Sequence, residues 1–186
     1  MKKLILTSTI LYLILSAAIV FSSPAMKQLQ TGLASVCTKD TFNLVMDEST
    51  MSSDSIPLLS ANAVGQSVSY GSAWSLYSIE TRFAAATSSC VYTVRIGTSS
   101  DLTTYVEEIA NQSAPDGGGL HEALSVAHDS YNTAYIGYVE VSGDCRILKD
   151  DTSPPYSGGT YYAPSSGWIL GGSTAADLRI NVYKCQ

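Results

Sequence analysis

Apolar and polar positions alternate along much of the chain. Between residues 77 and 85, Tyr77, Ile79, Phe83 and Ala85 share one parity, while Ser78, Glu80 and Arg82 take the other. Period-two patterning of this kind predicts a half-buried β-strand. It recurs at Cys90, Tyr92, Val94 and Ile96 against Thr93 and Arg95, and at Leu120, Leu124 and Val126 against His121 and Ser125. The stretch AYIGYVEV, residues 134 to 141, is more continuously apolar, as a central strand requires, and Gly143-Asp144 ends it. In a last strand Leu178, Ile180 and Val182 alternate with Asp177, Arg179, Asn181 and Tyr183 before Cys185.

Residues 102 to 110 (LTTYVEEIA) place Leu102, Val106 and Ile109 on one helical face, yet Thr-Thr-Tyr-Val suits a strand, and a strand is expected. Residues 28 to 63 are less regular: TFNLVM (41 to 46) has strand character and DESTMSSDS (47 to 55) reads as a loop. Turn residues separate the runs at 97–101, 115–119, 128–133, 153–159 and 171–175. Helix formers are scarce, whereas Ser, Thr, Gly, Tyr and Val abound. Short strands with such punctuation predict an all-β, antiparallel sandwich or barrel.

The first residues carry an address. Lys2 and Lys3 precede LILTSTILYLILSAAIVF, residues 4 to 21, and Ser23-Pro24-Ala25 supplies small residues for a cut after Ala25. That is the layout of a secretory signal, residues 1 to 25. The alternative is an uncleaved membrane anchor, since 18 residues at about 1.5 Å rise just cross a bilayer. Thr7, Ser8, Thr9 and Ser16 dilute the apolar run and no basic cluster follows it, so cleavage is expected. The remaining 161 residues (186 less 25) suit one domain. Residues 26 to 63 form an N-terminal segment able to add a strand, and 64 to 186 the sandwich.

Loss of the two lysines leaves 8 basic against 16 acidic side chains, moving the net charge from −6 to −8. Nucleic acid is therefore not an expected partner, and a membrane is one only if the signal stays in place. Cys37, Cys90, Cys145 and Cys185 all follow the signal, where an oxidising compartment lets them pair in two disulfides. Their spacings of 53, 55 and 40 residues are unlike those of structural zinc sites.

Candidate chemistry is thin. His121 and His128 are each followed by a carboxylate, Glu122 and Asp129, but on a strand His121 and Glu122 point to opposite faces. Neither histidine belongs to a His-Glu-x-x-His pattern. No Gly-x-Ser-x-Gly or Ser-x-x-Lys marks a nucleophile. Glu107-Glu108, Asp47-Glu48 and Asp150-Asp151 are chain neighbours that diverge rather than face each other across a glycosidic bond. No catalytic residue and no obligatory cofactor is expected. Asp144, Asp150 and Asp151 are the candidate ligands for a structural calcium ion, with surface solvation as the simpler account.

The aromatic residues stand out more. Tyr156, Tyr161, Tyr162 and Trp168 fall within thirteen residues among Ser, Gly and Pro, a composition suited to flat contact with sugars or a protein surface. Tyr131, Tyr135 and Tyr138 are further candidates. Part of this set is expected to fill the core, Trp168 beside Ile169 and Leu170 first of all. Asn111-Gln112-Ser113 is a glycosylation sequon.

Gly65-Gln66-Ser67, the strands around Ile79, Val94 and Tyr138, the glycine- and tyrosine-rich residues 155 to 162, Trp168, and the ending DLRINVY (177 to 183) together resemble a known order. It is that of jelly-roll β-sandwich modules of secreted bacterial and phage surface proteins, many shaped like carbohydrate-binding modules. The resemblance spans about residues 64 to 183, and the four cysteines depart from it. It implies a jelly-roll sandwich with neighbouring ends, and from that the pairing Cys37–Cys185 with Cys90–Cys145.

The expected function is extracellular binding or adhesion, to carbohydrate or a cell-surface protein. The alternative is a structural subunit of a filament or coat that binds copies of itself, with Leu33, Val36, Phe42, Leu44 and Val45 of the N-terminal segment adding a strand to a neighbour.

Overall fold

A strand of 20 residues, β3 (Val64–Phe83), runs through both layers of the protein. The computed structural model describes residues 37–43, 54–85, 88–150, 159–174 and 176–185. The chain divides into Met1–Cys37 and Thr38–Gln186, and the fold is that of the second unit. Twelve strands and no helix are found among its described residues. Every strand pair is antiparallel.

The C-terminal half of β3 lies between β12 (Ile180–Cys185) and β6 (Gly119–Leu124), and β1 (Lys39–Asn43) pairs outside β12. The N-terminal half lies between β7 (Ser130–Gly143) and β9 (Tyr161–Ser166). Beyond β7 come β4 (Cys90–Gly97) and β5 (Glu107–Ala114), and beyond β9 comes β10 (Ile169–Thr174). A small ribbon of β2 (Ser55–Pro57), β8 (Arg146–Asp150) and β11 (Asp177–Leu178) meets β3 at Phe83.

The change of layer happens at residues 70 to 73. Ser69 pairs with Thr133 and Trp74 with Tyr131, so four residues of β3 face one of β7. Inserted residues bend a strand and increase its twist, which lets β3 leave one layer for the other.

Between the layers, Leu76, Ile79, Phe83, Ile180 and Val182 meet Tyr92, Val94, Ile96, Ala134, Ile136 and Tyr138 in one core. Two of its buried hydroxyls are paired, while Trp74 Nε1 and the Tyr131 hydroxyl have no hydrogen-bond partner among the described residues. The Tyr138 hydroxyl lies 2.9 Å from Thr81 Oγ1, and the Tyr92 hydroxyl 2.6 Å from His121 Nδ1. Glu107 is buried and accepts from Ser125 Oγ (2.6 Å) and the Val126 amide (2.8 Å), fixing the turn after β6.

All four cysteines are disulfide-bonded. Cys90–Cys145 is one bridge, across 55 residues. The expected all-β antiparallel class and two-bridge chemistry are both present.

Two expectations are corrected. Leu120, Leu124 and Val126 do not face the core: they are 46, 54 and 86 % exposed, while Ala123 is buried. Directly opposed residues share a face. His121 and Ala123 lie opposite the inward Thr81 and Ile79, so Leu120 and Leu124 follow Arg82 and Ser78 outward. Residues 102 to 106 are not strand. Leu102 is fully buried in a turn, and β5 begins only at Glu107. Among the described residues of 38 to 63, β1 pairs with β12 of its own chain and β2 with β8. Phe42 lies in β1; Leu33, Val36, Leu44, Val45 and the apolar segment 4 to 21 lie outside the described residues.

Candidate functional site

The outer face of the β10-β9-β3-β7-β4-β5 layer carries the aromatic groups. Strand alternation sends Ile136 and Tyr138 of β7 inward and Tyr135, Gly137 and Val139 outward. Likewise Val94 and Ile96 of β4 point inward and Arg95 outward. Ala63, Leu102, Val139 and Leu170 make a small second core on this face, against which Tyr135, Tyr162 and Trp168 are half-buried.

The sheet is hollowed to receive it. A Cβ on Gly137 would lie 2.5 Å from Leu102 Cδ1, and one on Gly97 2.7 Å from Leu102 Cδ2. Glycine at these two positions lets the leucine rest directly on the backbone.

Trp168 sits at the turn between β9 and β10, after Gly167 at φ +56°. Both flanks of the turn are tied down. Ala63 donates to the Gly167 carbonyl (2.7 Å) and Gly167 to Asn62 Oδ1 (3.2 Å). On the other side Leu102 donates to the Trp168 carbonyl (3.0 Å) and Leu170 to that of Ser100 (2.9 Å). The indole then stacks on a cation. The Arg95 guanidinium lies 4.2 Å from the Trp168 ring centroid and 4.4 Å from that of Tyr105. Its Nε donates to Glu108 (2.6 Å) and its Nη1 to the Leu102 carbonyl (3.4 Å).

Tyr135 and Tyr162 complete the face. Their centroids are 5.9 Å apart at 48°. Burial, the neighbouring phenol and a hydrogen bond with Tyr162 raise the Tyr135 pKa, so Tyr135 stays a neutral hydroxyl at ordinary pH.

Of the expected ligand residues, the fold brings Tyr162 and Trp168 together on this face and adds Tyr135. Tyr161 is corrected: it is 6 % exposed and packs in the main core, because consecutive strand residues point oppositely. Tyr131 and Tyr138 are core residues as well. Tyr156 lies outside the described residues, as does Asp151.

Asp144 and Asp150 do not converge on an ion. Asp150 ends β8 and Asp144 lies two residues before its start, and the strand's own length, about 13 Å from Arg146 to Asp150, keeps them apart. Asp144 accepts from Arg146 Nε (3.0 Å), while Asp150 is buried opposite Asp177. Neither belongs to a group of three ligand-type side chains among the described residues. His128 Nδ1 lies 3.0 Å from the Leu76 carbonyl, and its ring stacks on Tyr77. Asn111 is exposed at a β5 bulge with φ +53°, open to a glycan.

Arg95, Tyr105 and Glu108 escaped the sequence reading as site residues. The outward parity of Arg95 on β4 was legible, but its stacking partners come from distant segments. The chain matches no protein-family model and no curated protein.

Proposed function

We propose that the protein is exported and works outside the cell as a non-enzymatic binding module, taking carbohydrate on the face formed by Tyr135, Tyr162 and Trp168. One observation carries this reading: three half-exposed aromatic rings rest on a fixed floor, with Trp168 locked by backbone hydrogen bonds on both sides and by Arg95 beneath. Rigid rings lose little entropy on binding and offer apolar faces to the C–H faces of sugars. Two disulfides support an oxidising, extracellular setting. Each histidine is engaged structurally, His121 with Tyr92 and His128 with the Leu76 carbonyl, which fits binding better than acid–base work.

A glycan array probed with the wild type, Tyr162→Ala and Trp168→Ala tests it. Binding lost in both variants is expected; binding unchanged in both removes the site.

A second reading, a subunit of an extracellular assembly, draws on β6. This strand pairs only with β3 among the described strands and carries exposed Leu120 and Leu124, with Val126 beyond it. Apolar residues on an open strand edge favour association. Light scattering across a concentration series distinguishes the two, since a module stays monomeric and a subunit grows.

A further inference from the structure

Each layer of the sandwich ends in two outer strands: β10 and β5 bound one, β1 and β6 the other. An open strand edge invites pairing with another chain, and bulges or very short strands suppress it. Among the described strands, β1, β5 and β10 all pair with interrupted register. In the small ribbon the outer strands β2 and β11 are three and two residues long. β6 has neither protection. Its six residues run opposite β3 from Phe83 to Ser78 without a break, and no described strand lies on its other side.

Hydrogen bonding to β3 decides which backbone groups face the open side. The Ser125 amide donates to the Tyr77 carbonyl (2.9 Å), so by antiparallel alternation Ala123 and His121 also turn their backbone groups toward β3. Those of Leu120, Glu122 and Leu124 point to the open edge. The same three residues carry their side chains on the exposed outer face, and leucine, glutamate, leucine reads alike in both directions.

Resting on the reading of β6 as an association edge, we propose that this strand pairs antiparallel with β6 of a second copy, about a two-fold axis at Glu122. Pairing about that axis sets Leu120 opposite the partner's Leu124, Leu124 opposite the partner's Leu120, and Glu122 opposite its twin. All three positions then exchange both backbone hydrogen bonds, and the leucines cover one another on the outer face. Sliding by two residues either way brings in Val126 or Gly118, whose amides are already given to Glu107 (2.8 Å) and the Pro115 carbonyl (3.1 Å).

Charge at the axis is balanced. Glu122 accepts from Ser78 Oγ (2.6 Å) and pairs with Lys39 of its own chain, so two carboxylates meet with an ammonium group beside each. A contact of this symmetry is used up by two copies, and growth past a dimer needs a different surface. One strand edge is small beside the roughly 1,600 Å² of a stable complex, so the dimer is reversible.

The test is sedimentation velocity of the purified, oxidised chain from about 10 μM to about 1 mM, with Leu120→Lys and Leu124→Lys as variants. Both leucines are exposed, so both variants keep the wild-type melting temperature. The expected result is a monomer–dimer equilibrium with no larger species, its affinity falling about tenfold or more in either variant. Under mild oxidation Glu122→Cys should cross-link to its twin, since paired residues at the axis hold their Cα atoms about 5.5 Å apart. Leu120→Cys, about 14 Å from its twin, should not. Growth past the dimer that both lysine variants suppress, or failure of Glu122→Cys to cross-link, overturns the two-fold pairing and leaves β6 as an association edge. A chain still monomeric at about 1 mM, or association untouched by both lysine variants, overturns both.

Discussion

The Arg95 guanidinium lies under the Trp168 ring, 4.2 Å from its centroid, and 4.4 Å from the centroid of Tyr105. A partly exposed cation stacked on two rings and tied to Glu108 is worth about 1 to 2 kcal/mol. Arg95→Ala should lower stability in urea by about that amount. It should also shift Trp168 emission to the red, while buried Trp74 contributes a constant background. Comparison with Trp168→Phe isolates the signal, and an emission spectrum unmoved by the arginine change would refute the lock.

Leu102 fills a hollow that Gly97 and Gly137 create. Leu102→Ala should cost about 2 to 5 kcal/mol, as for other buried leucines. Gly137→Ala drives a Cβ to 2.5 Å from Leu102 Cδ1 and should cost about 1 to 3 kcal/mol. In the double variant the methyl enters the space the leucine leaves, so the two losses should fall short of their sum. Strict additivity in chemical denaturation would show that the glycine does not answer to this leucine.

Tyr161 and Tyr162 should part company. Tyr161→Ala removes a core ring and should cost about 3 to 5 kcal/mol. Tyr162→Ala leaves a half-exposed gap on the outer face and should be milder, with its main effect on carbohydrate binding. Melting curves of the two variants check the ordering directly.

Acid should weaken the fold in two stages. Burial lowers the His121 pKa, so the folded state keeps the ring neutral beside the Tyr92 hydroxyl while the unfolded chain takes up a proton near 6.5. Stability therefore falls as pH drops below that value and levels off below the lower folded pKa. Burial opposes ionisation of Glu122, but bonds from Lys39 and Ser78 outweigh it and hold its pKa below 4.5. That contribution is present above 4.5 and is lost as pH falls through the folded value. His121→Gln should remove the first stage and Glu122→Gln the second, followed as denaturation midpoint against pH.

The Cys90–Cys145 bridge closes 55 residues of sequence, which corresponds to about 4 kcal/mol in the chain-entropy account. Cys90→Ala/Cys145→Ala should lower the urea midpoint accordingly. A midpoint within error of the wild type would mean that the bridge adds nothing beyond the sheet.

Much of the fold was legible from alternation. The strand Cys90–Gly97 and the inward Ile79 and Phe83 are where period two puts them, because a strand has only two faces. Leu120 and Leu124 defeat that logic: their own pattern says buried, yet pairing with β3 sends them outward. The aromatic run likewise gave Tyr162 and Trp168 but could not separate Tyr161 from them without knowing which face of β9 meets the core. Arg95 was invisible as a neighbour of Trp168 because it lies 73 residues away along the chain.

By itself, the amino-acid order determined an all-β antiparallel protein with paired cysteines, since backbone alternation and thiol chemistry are local properties. Only the tertiary structure decided which alternating face is inside, where β3 changes layer, and which side chains surround Trp168. Those depend on contacts between distant segments, and a strand's choice of inner face belongs to its partner as much as to itself.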